Sequence, residues 1–271
     1  MPETDLSLLE NAARAAGEIA LRYAGGTAQS WDKPDGAGPV TEADLAVNEM
    51  LKSDLRAARQ DYGWLSEECE DDGDRLAAER VFIIDPIDGT RSFMKGDDTW
   101  AHALAIAERG EVIAAAVYLP VLDRMYLAAK GQGATLNGEA LTASARRDLS
   151  GARVLAAKPS YDGSNWRDGV PDLSRHYRPS LAFRMSLVAQ GRFDAMLTLR
   201  RSWEWDIAAG DLIGREAGAR TSDRTGAPLI FNNARPLLNG VVSAGPNIHG
   251  ALIDALAQDG PQTGETAPKY S

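Results

Sequence analysis

A short apolar run that ends in two acidic residues constrains this chain more than any other feature. Residues 81–84 read Val-Phe-Ile-Ile and are β-branched at three of four positions, which predicts a buried strand. The chain continues as Asp-Pro-Ile-Asp-Gly-Thr over residues 85–90. Carboxylates without a function are not expected on both sides of a rigid proline at the end of a buried strand. The junction therefore predicts a functional site.

Asp85 and Asp88 need a compensating charge if they converge. Two carboxylates about 4 Å apart repel by roughly 4 kcal/mol at an effective dielectric constant near 20. A cation or a proton must offset this repulsion, and Mg²⁺ is a hard ion that prefers oxygen ligands. Gly89 and Thr90 are expected to open a helix whose amides can hold phosphate oxygens. In the alternative interpretation, Asp85 or Asp88 only caps that helix.

The charge of the chain narrows its partners. Its 271 residues carry a net charge of −10 with a pI near 4.9, which opposes polynucleotide binding. A small phosphate ester bound by so acidic a protein needs local positive charge, such as metal ions. The single cysteine, Cys69, cannot form a disulfide within the chain, and the sequence has an acidic N-terminus and no apolar run of roughly 20 residues. We expect a cytoplasmic protein that is not membrane-bound.

Periodic patterns organise the chain into two parts. Apolar residues recur at helical spacing over 5–23, with a capping box expected at Ser7 and Glu10, and Thr41 is the predicted N-cap of a second helix. Apolar segments between turn signals then predict an antiparallel meander. After about residue 150, strands alternate with helical periodicity, which indicates an α/β arrangement.

We therefore divide the chain into an α+β subdomain, 1–150, with most of the site, and an α/β subdomain, 151–271, that contributes Asp206. The tail 258–271 has no periodic apolar residues and is expected to be mobile. The Gly- and Pro-rich stretch 31–38 is a predicted loop, placed where it can cover the site.

Further carboxylates stand at predicted element ends, where capping and catalysis both fit the pattern. Glu67 and Glu68 follow an apolar pair that can end a strand, whereas the acids after them fit a solvated loop. Asp44 lies in the first turn of the second helix, and Asp206 opens a later helix. The three histidines lack zinc-ligand spacing and are interpreted as ordinary core or surface residues: His102, His176 and His249.

Four segments in this order resemble the inositol monophosphatase superfamily. They are Thr41-x-x-Asp44, Glu67-Glu68, the Asp-Pro-Ile-Asp-Gly-Thr of residues 85–90 and the Trp-Asp-x-Ala-Ala-Gly of residues 205–210. The match spans about residues 41–218, and it departs from the family's pattern at Ser66, where relatives often have Gly. The resemblance implies a layered αβαβα sandwich with the site between its halves, and it is compatible with a homodimer.

The resemblance also implies roles for the site residues. Two or three Mg²⁺ ions would be held by Glu67, Asp85, the carbonyl of Ile87, Asp88 and Asp206, with Asp44 and Glu68 supporting an additional ion or its waters. Glu67 and Thr90 would position the attacking water, and Asp44 would assist. The phosphoryl group and substrate would meet Asp88, the Gly89 and Thr90 amides, Glu204 and Asp206. The implied reaction is in-line hydrolysis of a small metabolite's phosphate ester, with metal ions that activate water and stabilise the leaving alkoxide.

Fewer residues indicate which substrate is hydrolysed than indicate the metal and phosphate site. Glu204 before Trp205-Asp206 is similar to the Glu-Trp-Asp of 3′(2′),5′-bisphosphate nucleotidases, which we therefore rank first. Inositol-1-monophosphatase is second, and histidinol-phosphate phosphatase, suggested by Arg-Ser-Phe at 91–93, is third. A second phosphate could meet a basic group, although a solvated arginine face explains the last two residues equally well: Lys158, Arg184, Arg200 and Arg201. The non-enzyme alternative is a regulatory protein that binds a phosphometabolite without turnover, and the retained carboxylates argue against it.

Overall fold

The computed structural model of the chain describes residues 3–26, 28–34, 38–71 and 73–257. The predictions for the tail 258–271 and for the middle of the loop 31–38 lie outside the described residues. Within the described ranges there are six α-helices: α1 (Asp5–Tyr23), α2 (Glu42–Ala58), α3 (Thr90–Met94), α4 (Leu181–Ala189), α5 (Glu204–Glu216) and α6 (His249–Ala255). No helix in these ranges has both the length and the apolar character that a bilayer span requires.

Two sheets form the framework. The larger has seven strands in sequence order: β3 (Gly63–Ser66), β4 (Arg80–Asp88), β5 (Ala101–Glu108), β6 (Glu111–Leu119), β7 (Arg124–Ala129), β8 (Ala134–Leu136) and β9 (Glu139–Ala140). The β3–β4 pair is parallel and all others are antiparallel, so the predicted meander is confirmed.

The second sheet has five strands: β10 (Ala152–Leu155), β11 (Leu173–His176), β12 (Ala195–Thr198), β14 (Arg220–Ser222) and β16 (Val241–Ala244). Their spatial order is β11-β10-β12-β16-β14. Among the described residues, two small pairs complete the strands, namely β1 (Ser30–Asp32) with β2 (Pro39–Thr41), and β13 (Ser202–Trp203) with β15 (Leu237–Leu238).

Alternation along β4 shows how the layers stack. Phe82 and Ile84 belong to a core with the apolar faces of α1 and α2, whereas Val81 and Ile83 belong to a core with α4 and α5. Side chains of a strand point to opposite faces in turn, so one strand serves both cores. A third core joins the second sheet to α6. The order helix, sheet, helix, sheet, helix confirms the predicted αβαβα sandwich.

Helix boundaries follow local capping. Thr41 caps α2 in a capping box closed by Asp44, as predicted. For α1 the predicted capping box was wrong: the N-cap is Thr4, whose side chain accepts a hydrogen bond from the Ser7 amide. Ser7 therefore lies inside the helix, which begins about one turn earlier than a cap at Ser7 would require.

Candidate active site

A β-bulge brings the two aspartates of the central motif to one side of the sheet. Asp85 pairs with Ala103 and Asp88 pairs with Ala101, so three steps along β4 match two steps along β5. Residues three apart in a regular strand point to opposite faces. The extra residue of the bulge corrects this parity, and both carboxylates line the same pocket.

That pocket, of about 300 Å³, gathers most of the predicted site. Seven predicted residues line it: Glu67, Asp85, Ile87, Asp88, Gly89, Thr90 and Asp206. They come from the end of β3, from β4, from the start of α3 and from the first turn of α5. Gly89 has a φ of 101°, a conformation that favours glycine at this turn. Tertiary packing thus joins segments more than 100 residues apart.

Asp85 and Asp206 lie where a negative charge on the carboxyl group is unfavourable. Burial, followed by the negative charge of Glu67 and of Asp88, raises the pKa of Asp85 well above its usual range. Burial, followed by Asp88 and Glu67, does the same to the pKa of Asp206. Such mutual perturbation marks a place where a cation would be strongly favoured.

Asp88 is anchored by hydrogen bonds from the start of α4. Its Oδ2 accepts hydrogen bonds from Ser180 Oγ and from the Ala182 amide, both at 2.7 Å. These donors belong to the start of α4, so Asp88 connects the larger sheet to this helix. Burial nevertheless raises the pKa of Asp88 to about 6, because it outweighs these hydrogen bonds.

Lys33 supplies a positive charge that the sequence did not single out. Its Nζ donates to Glu67 Oε1 at 2.8 Å and to Glu68 Oε1 at 2.6 Å. Burial opposes the charged amine, but the two glutamates raise the pKa of Lys33 overall. Burial and Glu67 raise the pKa of Glu68 to about 7. A lone lysine in a Gly- and Pro-rich loop gives no pattern from which this contact can be found.

Asp44 combines the capping and the site roles that the sequence left open. Its Oδ2 accepts hydrogen bonds from the Thr41 amide at 2.9 Å and from Thr41 Oγ1 at 2.5 Å. Its Oδ1 accepts from Thr90 Oγ1 at 3.3 Å, and Thr90 also lies 3.2 Å from the Ile87 carbonyl. Asp44 is 1% exposed, and burial raises its pKa to about 6. It reaches the site through Thr90.

The oxygen atoms that the pocket offers as ligands suit a hard divalent cation. In the described part of the chain, no three acidic, His or Cys side chains are drawn close enough to hold an ion as they stand. Asp85 Oδ1 is nevertheless buried with no hydrogen-bond partner, and a buried bare carboxylate oxygen is costly unless a cation meets it. An all-oxygen set with acids and a carbonyl fits Mg²⁺.

Glu204 does not line the pocket, which corrects its predicted contact with the substrate. Its Oε2 accepts a hydrogen bond from the Asn232 amide at 2.6 Å, and its Oε1 accepts from the amide and the side chain of Asn233 at 2.9 and 2.7 Å. The residue is fully buried. Glu204 therefore holds the 232–233 loop against α5.

Three of the four basic residues predicted to bind a second phosphate either donate to backbone carbonyls or do not line the pocket. The Arg184 guanidinium donates to the carbonyls of Arg178 and Pro179 and lies 4.6 Å from the centre of the Tyr177 ring. Lys158 and Arg201 do not line the pocket, whereas Arg200 does, together with Arg91 and Lys95. A cationic rim exists, but its composition differs from the prediction.

Comparison with known proteins agrees with this architecture. The family model described as the inositol monophosphatase family matches residues 1–260. The inositol-1-monophosphatase of Rhizobium meliloti is 33% identical over 232 residues, covering 80% of this chain and 82% of that protein. Nus factor SuhB of Pseudomonas aeruginosa is 32% identical over 238 residues, covering 82% and 86%.

Among solved structures, the extragenic suppressor protein suhB from Bartonella henselae superposes with a TM-score of 0.78 at 28% identity, covering 93% of this chain and 98% of that one. The fold and the pocket together define a phosphoric monoester hydrolase. The chain belongs to the inositol monophosphatase family.

Proposed function

We propose that the chain is a Mg²⁺-dependent phosphatase that hydrolyses a monophosphate ester of a small polyol, with inositol monophosphate as the leading substrate. The proposal depends above all on the convergence of mutually repelling carboxylates on one pocket, where Asp85 Oδ1 is buried and bare. The similarity to a relative named inositol-1-monophosphatase supports the substrate class.

The chain's own residues account for binding and orientation. Two or three Mg²⁺ ions would be held by Glu67, Asp85, the Ile87 carbonyl, Asp88 and Asp206. When bound, Mg²⁺ neutralises phosphoryl charge and lowers the pKa of the attacking water. Thr90 Oγ1, which Asp44 fixes at 3.3 Å, orients that water together with Glu67, and the amides of Gly89 and Thr90 face the phosphoryl oxygens.

A 3′(2′),5′-bisphosphate nucleotidase is now the second candidate instead of the first. Its support from Glu204 weakens because that carboxylate is held by backbone amides, and Arg184 is held by carbonyls. The observation that still favours it is the cationic rim of Arg91, Lys95 and Arg200, which could meet a second phosphate. Histidinol phosphate stays third.

The deciding assay measures phosphate release from inositol 1-phosphate, 3′-phosphoadenosine 5′-phosphate and histidinol phosphate, each with Mg²⁺ and with a chelator. We expect the highest kcat/KM with inositol 1-phosphate and no release with the chelator. A preference for the bisphosphate by orders of magnitude would reverse the ranking. Metal-independent release would contradict the mechanism.

The Asp88→Asn variant tests the site itself. Because Asn keeps the shape but loses the charge, we expect Mg²⁺-dependent release to fall by about 1000-fold or more. Undiminished activity would refute the site assignment.

The same inactive variant can test an additional, non-catalytic role, which the relatives named Nus factor suggest: a regulatory role independent of turnover would survive Asp88→Asn. The homodimer, the cytoplasmic location and the absence of polynucleotide binding stay predictions.

A further inference from the structure

His102, which no sequence pattern assigned to the site, lies behind the bulge that carries Asp85 and Asp88. It is on β5 between Ala101 and Ala103, the partners of those two aspartates. The two residues of β4 that have no register partner on β5, Pro86 and Ile87, therefore lie opposite this one histidine. The imidazole is fully buried.

The backbone of the bulge explains what the imidazole does there. Proline has no amide hydrogen, so its carbonyl is the one backbone hydrogen-bonding group of Pro86. The bulge disrupts the regular ladder at this point, and His102 Nδ1 lies 2.5 Å from the Pro86 oxygen. A carbonyl only accepts, so Nδ1 carries the hydrogen in this contact.

The ring cannot easily turn away from this contact. His102 packs edge-on against Trp100, with ring centres 5.5 Å apart at 80°, and Trp100 packs edge-on against Phe93 at 5.0 Å and 88°. Phe93 belongs to α3, the helix that Thr90 opens. This row of edge-on ring contacts therefore supports both the bulge and α3, which contribute residues to the pocket.

The environment of Nε2, the other ring nitrogen of His102, indicates which nitrogen serves the site. Nε2 is buried, and no residue within the described ranges hydrogen-bonds to it. An unpaired buried nitrogen costs about 1–3 kcal/mol, which an apolar side chain in the same space would avoid. The imidazole thus serves the site through Nδ1 alone.

We propose that His102 is a positioning residue for the metal site, whose Nδ1–H fixes the Pro86 carbonyl and so holds the carboxylates of Asp85 and Asp88 on one face. This inference rests on the proposed metal-dependent function. Without the donor, the Pro86 carbonyl would be buried and unpaired. The bulge could then relax toward regular pairing, which would turn one carboxylate away from the other.

The test compares three substitutions by calorimetric titration with Mg²⁺, without substrate. His102→Asn keeps a donor near the position of Nδ1, His102→Gln moves it toward the position of Nε2, and His102→Leu has none. Residues that orient metal ligands typically contribute 10- to 100-fold to metal affinity. We expect that loss for Leu and Gln, and affinity within about threefold of wild type for Asn, by the same principle.

The control is His249→Leu, which removes another buried histidine, 8% exposed and hydrogen-bonded to Ser222 Oγ at 3.0 Å. It should lower thermal stability without changing Mg²⁺ affinity. Equal affinities for the Asn and Leu variants would overturn the inference. If the Leu variant does not fold, equal affinities for Asn and Gln would overturn it.

A nitrogen-15 NMR spectrum of the imidazoles tests the contact separately. The Nδ1-protonated form of His102 is expected, and the Nε2-protonated form would refute the hydrogen bond. A wild-type protein that binds no Mg²⁺ would remove the proposed function and, with it, this role of His102. A wild type that binds Mg²⁺ but shows no difference among the variants would remove only the role of His102.

Discussion

Helix α5 carries two aspartates in opposite electrostatic settings. Near its start, Asp206 lines the pocket, and after burial the groups that most raise its pKa are two other acids, Asp88 and Glu67. Five residues later, Asp211 is 3% exposed, and its carboxylate accepts hydrogen bonds from Arg215 Nε at 3.0 Å and from Thr221 Oγ1. Burial raises the pKa of Asp211 too, but its neighbours oppose the shift.

The difference separates a functional acid from a structural one. Both residues are Asp in the same helix, so residue type and element do not distinguish them. Asp211 is stabilised by its partners, whereas Asp206 is repelled by two acids, an effect that Arg200 and Lys33 offset only in part and that a bound cation or protons would relieve. An acid whose neighbours are acids is therefore the better candidate for a metal ligand.

The largest effect is expected from Asp206→Asn. Loss of this charge should lower kcat/KM by about 1000-fold or more, roughly 4 kcal/mol of transition-state stabilisation. The melting temperature of the metal-free protein should stay unchanged or rise, because a repelling charge is removed. Asp211→Asn is the matched control in the same helix and should keep its activity. A large loss of thermal stability with Asp206→Asn would contradict this contrast, because it would show that Asp206 also stabilises the fold.

A smaller effect, on stability alone, is expected from Asp211→Ala. The change leaves Arg215 and Thr221 without their acceptor and should cost about 2 kcal/mol, because Arg215 is partly exposed and solvent compensates part of the loss. Thermal unfolding in the presence of a chelator measures the cost. An Asp211→Ala protein that loses Mg²⁺-dependent activity while remaining folded would place Asp211 in the site.

The smallest effect concerns pH. Because the folded-state pKa of Asp88 is raised to about 6, protonation contributes stability that is fully present below the unfolded pKa near 4 and is lost as pH rises through about 6. A cation can replace those protons above that range. Mg²⁺ should therefore raise the melting temperature more at pH 7.5 than at pH 5.0, by a few degrees.

The Asp206→Asn variant should show a weaker dependence of the Mg²⁺ effect on pH, whereas Asp211→Asn should behave as wild type. An equal Mg²⁺ effect at both pH values would mean that protons and the ion do not compete for the same groups.

Much of the site was predictable because its ligands stand at the ends of elements that local sequence defines. The buried strand before Asp85, the helix after Gly89 and the Thr41 cap of α2 all form as the sequence predicts. Glu204 shows the limit of this reasoning. It adjoins Trp205-Asp206 in the sequence, but its carboxylate is taken by the amides of the 232–233 loop, which no local pattern identifies.

The sequence by itself determined which acids stand at strand and helix ends, because strand and helix formation depend on neighbours within a few residues. The tertiary structure decided which of those acids meet. The β4 bulge and the His102 contact turn Asp85 and Asp88 to one face, and helix α5 adds Asp206 from the other half of the chain. The face of the sheet on which each carboxylate lies, and the meeting of the acids in one pocket, depend on partners distant in sequence. Only the folded chain can therefore determine them.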